Sequence, residues 1–440
     1  MKEFDLSLEI LEDIVVNDVL FNEALKKRFQ ADQEIRPFRH EVAGLVGCEL
    51  RHEILFQYLL KDIEATDEEK RVFSLVLANA YFYRHFGTDV IKAAALEKIS
   101  EERYALLDEL LAKADQPNSF VPETIKQGSL EYLSLRYNTP LWVLKIWEHF
   151  GYGVCYRLLR KNARPKSITL RVRPSAINPE EIFGNADFQQ SPIANIATYV
   201  GKTPIRKLEQ VRQGKLFEEK LGIKAVIDQY PISDPGEIFL YNDLPHDQAI
   251  KELIEANGEA IGLNVGVRDL QGHADAARFL KAKKVQNVNF FAAEPDALEA
   301  SISRPQELVY VFADSSDFDS VRETPDFFVH LKQEKLDELI EKQKKLLEGV
   351  APYVALDGRL VYVVLTLNKK EGHLQIENFL KSHEGFELEK EEQLYPYDGL
   401  DTTLYYATLK RVPELAKATP PLGEAAQTAA SETAVLAEGK

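Results

Sequence analysis

Residues Leu336–Thr366, LDELIEKQKKLLEGVAPYVALDGRLVYVVLT, change hydrophobic period part-way along. Leu336, Leu339, Ile340 and Leu347 share one helical face. The run Arg359–Thr366 beyond them reads as a strand. The same alternation continues on either side, with predicted strands at Ile238–Leu240, Ala260–Leu263, Val288–Phe291, Leu308–Phe312 and Leu404–Leu409, most of them separated by helical stretches. Short β-rich runs alternating with helices imply an open, mostly parallel, doubly wound sheet. Ligands in such sheets sit outside the carboxyl ends of the strands.

Upstream the pattern is different. Residues 1–115 read as helices only: Leu8, Leu11, Ile14 and Val15 form one stripe, Phe73, Val76, Leu77, Ala80 and Tyr81 a second, and Leu106, Leu107, Leu110 and Leu111 a third. Thr66 with Glu69 three residues later predicts a capping box, and Gly87 is the expected stop. Between the two regions, Arg136–Gly151 is helical after Pro140, and Ser167–Val172 is a strand bounded by Pro165 and Pro174. After Pro413 the chain lacks bulky apolar residues and reads as a disordered tail.

The 440 residues carry a net charge of −17, which taken alone argues against a nucleic-acid partner. Residues 151–220 depart from that, with 13 Lys/Arg against 6 Asp/Glu. A basic block in an acidic chain suits a phosphate-facing stripe, the alternative being a solvated face that balances acidic neighbours. The apolar runs are too short to span a bilayer, and the acidic N-terminus MKEFDLSLEILEDIVV does not read as a signal peptide. With only Cys48 and Cys155, neither a disulfide framework nor a metal site is expected, and the protein reads as a cytoplasmic monomer.

Several motifs together resemble the Sun/Fmu-type (RsmB-type) 16S rRNA cytosine-C5 methyltransferases. RYNTPLWVLKIW (136–147), NARPKSITLRVRP (162–174), the 336–366 stretch itself and LYPYDGLDTTLYYATLKR (394–411) each resemble a family motif in the family's order. The resemblance implies a multidomain chain. It would comprise an all-α NusB-like bundle over 1–128, a small α+β RNA-binding segment over 129–225, a Rossmann-like α/β domain for S-adenosylmethionine (SAM) over 226–412, and a tail over 413–440. It also implies RNA contacts from Arg136, Lys145, Arg157, Arg160, Lys161, Arg164, Arg171 and Arg173.

The family's chemistry requires a Cys thiolate to add at cytosine C6, so that C5 can attack the methyl group, and a second Cys to help resolve the adduct. Here Leu365 stands at the nucleophile position and Ser315 at the second Cys position, which leaves no catalytic residue. Counting back from Pro325-Asp326 puts Phe312 at the leading Asp, whereas a two-residue slip places Asp314 there. The Gly-rich cofactor turn becomes Tyr241–Gln248, with Pro245 and no glycine. Asn264 stands for the acid that holds the ribose, and Glu294 for the acid near the adenine. Three functions are compatible with these features. The first is a non-catalytic relative that binds rRNA or ribosome-assembly intermediates. The second is an active SAM-dependent enzyme with an altered site, and the third a NusB-like adaptor for ribosome-assembly or transcription proteins.

Overall fold

A computed structural model describes residues 1–112, 120–164, 167–230, 237–257, 262–283, 287–397 and 399–413. The expected tail from Pro413 lies, apart from that residue, outside the described residues.

The N-terminal region is helical, from Lys2–Val15 to Tyr104–Ala112, around a core that includes Phe4, Leu11, Ile14, Phe73, Val76 and Leu107. Val15, expected on the buried stripe, is 40% exposed. The capping box forms: Thr66 Oγ1 accepts from Glu69 N at 3.1 Å, and Glu69 Oε2 accepts from Thr66 N at 3.0 Å. Gly87 does not stop that helix. Helix Asp67–Ala78 runs on into a wider turn, Asn79–Tyr83, that ends at Arg84 in the left-handed region (φ 50°). The Asn79 side chain sets this exit by bonding both main-chain groups of Phe86, and Gly87 precedes the next helix, Thr88–Leu96.

Two side chains tie the helical region to the remainder of the fold. Asn138, left-handed at φ 48°, accepts from Ile54 N and donates to Leu50 O, both at 2.9 Å. Asp326, fully buried, accepts from Phe21 N at 2.7 Å and lies 3.0 Å from His330 Nε2, while the other His330 nitrogen lies 2.8 Å from Asp18.

The middle segment contributes helices Leu130–Tyr137, Leu141–Glu148 and Tyr152–Asn162 and a small antiparallel sheet. Its strands are β1 (Ile168–Val172), β2 (Phe188–Gln190), β3 (Ile196–Tyr199) and β4 (Leu216–Glu218), in the order β2-β3-β1-β4. Only β1 was expected, because the other three are short and flanked by turns.

The main sheet comprises β5 (Ile238–Asn242), β6 (Leu263–Val267), β7 (Val288–Ala292), β8 (Gln306–Ala313), β9 (Val354–Val364), β10 (Phe386–Leu394) and β11 (Leu404–Arg411). Their order is β10-β11-β9-β8-β5-β6-β7, with β5 to β9 parallel and β11 antiparallel to both of its neighbours. Both faces are packed. Leu240, Val265, Phe312 and Val363 point into one core, and Tyr241, Val311, Tyr362 and Val364 into the other. This is the doubly wound, Rossmann-like arrangement. The edge strand β10 (FELEKEEQL) went unread because its charges mask any apolar period, and charge is what keeps an edge from pairing with other chains. Among the described residues, no helix is long and apolar enough to cross a membrane.

Candidate active site

The strand order reverses between β5 and β8, so the crevice outside their carboxyl ends is where a ligand site is expected. Asp243 follows β5, Arg268 follows β6, Glu294 lies just beyond β7, Asp314 to Ser316 follow β8, and Leu365 to Thr366 follow β9.

Arg268 spans this crevice. Its Nη1 lies 2.5 Å from Glu294 Oε2, its Nε bonds Asp243 Oδ1, and its Nη2 reaches Asp243 Oδ2 at 3.3 Å. The expectation for Asn264 is thereby corrected. Strand β6 starts and ends later than its sequence suggested, so Asn264 lies near its start, opposite Asn289 and bonded to its amide at 3.1 Å. The strand end, where the ribose-holding acid would stand, carries Arg268.

The turn after β5 is filled from within. The buried Asn242 amide donates to Leu244 O at 3.4 Å and to His246 O at 3.2 Å, and Leu244 is buried. Asp247 fastens the turn to the start of the helix after β6, Ala274–Lys283, with its carboxylate 2.5 Å from His273 Nδ1 and 2.6 Å from Ala276 N. Pro245 is exposed on a separate cleft beside the middle segment. SAM needs close backbone approach at this turn and a carboxylate for its ribose. A side-chain-filled turn and a guanidinium at the strand end do not fit it. Of the four expected cofactor residues, Glu294 and Asp314 reach the crevice. Crowding by protein, reinforced by Asp243, pushes the Asp314 carboxyl up to about 6.

Ser315 and Leu365, the residues expected at the two cysteine positions, are in contact. Ser315 Oγ accepts from Leu365 N at 3.0 Å and donates to Leu365 O at 3.2 Å. The Leu365 side chain is 1% exposed. Beneath them the buried Glu371 carboxylate takes five donors: Ser316 N (2.9 Å), Ser316 Oγ (2.7 Å), Thr366 Oγ1 (2.8 Å), Asn368 Nδ2 (3.1 Å) and Gln343 Nε2 (3.1 Å). The loops after β8 and β9 are thus joined by polar bonds that run through the hydroxyls of Ser315, Ser316 and Thr366, with no cysteine among these residues. Cys155 packs with Phe318 and Leu367 nearby, but burial pushes its thiol up to about 11, and burial pushes Cys48, in the helical region, to about 12.

The basic block divides in two. Arg157 and Arg160 are exposed on helix Tyr152–Asn162, Arg164 is exposed just after it, and Lys161 is half-buried. Arg136 and Lys145 are exposed on the two preceding helices. Arg171 and Arg173 depart from the phosphate-facing expectation by turning inward. Arg173 is 7% exposed, donates to Gly214 O at 2.6 Å and pairs with Glu255, while Arg171 lies 4.0 Å from the fully buried Glu252. Composition gives the charge of a strand residue but not the face it occupies. Trp147 is buried edge-on against Phe318.

Comparison with known proteins gives a family likeness over part of the chain. Residues 306–413, which include β8, β9, β10 and β11 and both cysteine positions, match the family described as 16S rRNA methyltransferase RsmB/F. Over that stretch the chain is similar to the RsmB/F family. Its relatives include the probable ribosomal RNA small subunit methyltransferase B of Bacillus subtilis (strain 168), 21% identical over 87% of this chain and 89% of that one. Among solved structures, the fold is shared with PH0851 (TM-score 0.70, 17% identity, 93% of this chain and 99% of that one). It is also shared with a methyltransferase homolog protein from Pyrococcus horikoshii (TM-score 0.53, 13% identity, 66% and 100%).

Two residues of this crevice were missed in sequence. Arg268 lies beyond where β6 was expected to end, and its partners are 25 and 26 residues away. Glu371 takes its donors from the loops after β8 and β9 and from helix Gln333–Val350, and no local spacing announces that convergence.

Proposed function

We propose that this RsmB/F-type protein binds rRNA or a ribosomal precursor and does not transfer a methyl group to cytosine C5 by the two-cysteine route. The observation that carries the reading is the Ser315–Leu365 contact: both cysteine positions are brought together, and the side chains there are a hydroxyl committed to the main chain and a buried leucine. A leucine has no lone pair to add to C6, and the described hydrogen bonds of the Ser315 hydroxyl offer it no general base. The crevice bridged by Arg268 supports the same reading.

The RNA surface we assign is the exposed face built from Arg136, Lys145, Arg157, Arg160, Lys161 and Arg164. Its support is placement. Helix Tyr152–Asn162 buries Cys155, Leu158 and Leu159 against Phe318 and Leu367, on the loops that carry Ser315 and Leu365, so its basic face lies beside the crevice. The proposed organisation is a helical domain over 1–128, an RNA-facing segment over 129–225 and a methyltransferase-type domain over 226–412.

Titration with SAM, followed by methylation assays on unmodified 16S rRNA, tests this. We expect no binding heat in the micromolar range and no 5-methylcytosine. Stoichiometric SAM binding with methyl transfer would overturn the non-catalytic reading.

A further inference from the structure

Among the described residues, two aromatic side chains are exposed, Tyr152 (48%) and Tyr156 (37%). They lie one helical turn apart on the basic helix, with rings parallel to within 5° and centroids 6.2 Å apart. Tyr156 also meets Tyr137 edge-on at 6.5 Å, and with Tyr132 these rings line a cleft of about 700 Å³. That volume falls within the range of small-ligand sites, roughly 300–1,000 Å³. Two cations flank the rings: the Arg160 guanidinium lies 5.8 Å from the Tyr156 centroid, and that of Arg136 lies 5.9 Å from the Tyr137 centroid.

Exposing two large aromatic faces side by side forgoes burial that an ordinary surface helix would take. Flat faces bordered by guanidinium groups match a nucleotide. The base stacks on a ring and the flanking phosphate meets an arginine, whose planar fork pairs with phosphate oxygens. Arg157, next to Tyr156 in sequence, belongs to the same basic helix and stacks at 4.2 Å over Tyr397. A duplex keeps its bases stacked inside and offers none to such a cleft, whereas an unpaired nucleotide does.

We infer that the Tyr132–Tyr137–Tyr152–Tyr156 cleft holds an unpaired base of single-stranded RNA, with Arg136 and Arg160 on its flanking phosphates. The inference rests on the RNA-binding reading above and adds the class of RNA it selects.

The test uses the full-length protein and fluorescence anisotropy with three labelled probes: a short single-stranded RNA of mixed sequence, the same strand with abasic sites throughout, and its duplex. The base-bearing strand is expected to bind on the order of tenfold tighter than the abasic strand, the scale of one aromatic–base stack. Replacing Tyr152→Ala together with Tyr156→Ala should erase that difference and leave abasic binding unchanged, whereas Tyr152→Phe with Tyr156→Phe should keep it. Equal binding of base-bearing and abasic strands by the wild type overturns the cleft while leaving the RNA reading in place. So does an unaltered preference in a folded double-alanine variant. Failure of the wild type to bind any of the three probes overturns both.

Discussion

The Ser315 hydroxyl grips both main-chain groups of Leu365, accepting from its N–H at 3.0 Å and donating to its carbonyl at 3.2 Å. One residue in the loop after β8 therefore holds the first residue beyond β9. Ser315→Ala leaves a partly buried N–H and C=O without these partners. We expect it to cost about 1–2 kcal/mol in urea unfolding. An unchanged midpoint would show that water replaces the hydroxyl at no cost.

Placing a thiol at the nucleophile position does not make it reachable. With the 365 side chain 1% exposed, Leu365→Cys should react with a maleimide in the native state far more slowly than in denaturant. Peptide mapping by mass spectrometry separates it from Cys48 and Cys155. Rapid native labelling at 365 would contradict the buried placement.

Glu371 sets a larger stake. Its five donors come from four residues, and removing the acceptor strips a buried partner from Ser316 N and Asn368 Nδ2, while Ser316 Oγ keeps Thr366 Oγ1 and Gln343 keeps Asp314 O. Glu371→Leu should lose at least about 3 kcal/mol of stability, and Glu371→Gln, which keeps one acceptor oxygen, should lose less. Equal losses for the two variants would assign the effect to packing.

The helical region contains a titrating acid of opposite sense to an ion-paired one. Burial, reinforced by Glu53, pushes the Glu49 carboxyl up to about 8. Because its folded value lies above its unfolded value, the folded state binds more proton between about 4.5 and 8, and stability falls as pH rises through that window. Glu49→Gln should flatten that fall, a difference on the order of a few kcal/mol at the alkaline end. Parallel pH–stability curves for variant and wild type would remove Glu49 as the source.

Salt dependence separates the two halves of the basic block. Reversing Arg157, Arg160 and Arg164 to Glu should weaken RNA binding and reduce the slope of log affinity against log salt, by roughly 0.7–0.9 for each phosphate no longer neutralised. Arg173→Ala should lower stability and leave that slope unchanged, since its guanidinium is already committed to Glu255 and Gly214. A slope altered by Arg173→Ala would return that residue to the RNA surface.

The legible parts of this fold are those written as local period. The buried face of helix Gln333–Val350, the second half of β9 from Arg359 and the Thr66–Glu69 capping box follow from spacing alone. Motif resemblance singled out Ser315 and Leu365 separately; that they touch across 50 residues of sequence comes from the structure alone. What escaped has no local period. Strand β10 is charged along both faces, and the exit of helix Asp67–Ala78 depends on Asn79 reaching forward seven residues. The direction of Arg173 depends on Glu255, on a helix far along the chain, and the end of β6 is set by pairing with β5 and β7. These are tertiary decisions, invisible in the spacing of nearby residues.

The burial of Leu365 has an evolutionary corollary. A lost catalytic group on an open surface can be regained by a single codon change. On the non-catalytic reading proposed above, Leu365 is a replacement that has joined the hydrophobic interior, alongside Val363 and Tyr406, while the neighbouring main chain is held by Ser315. Reversion to cysteine at one site would give up core packing and return no reactivity. Under that reading each step back would be selected against until several were taken together, so such a loss would act as a ratchet.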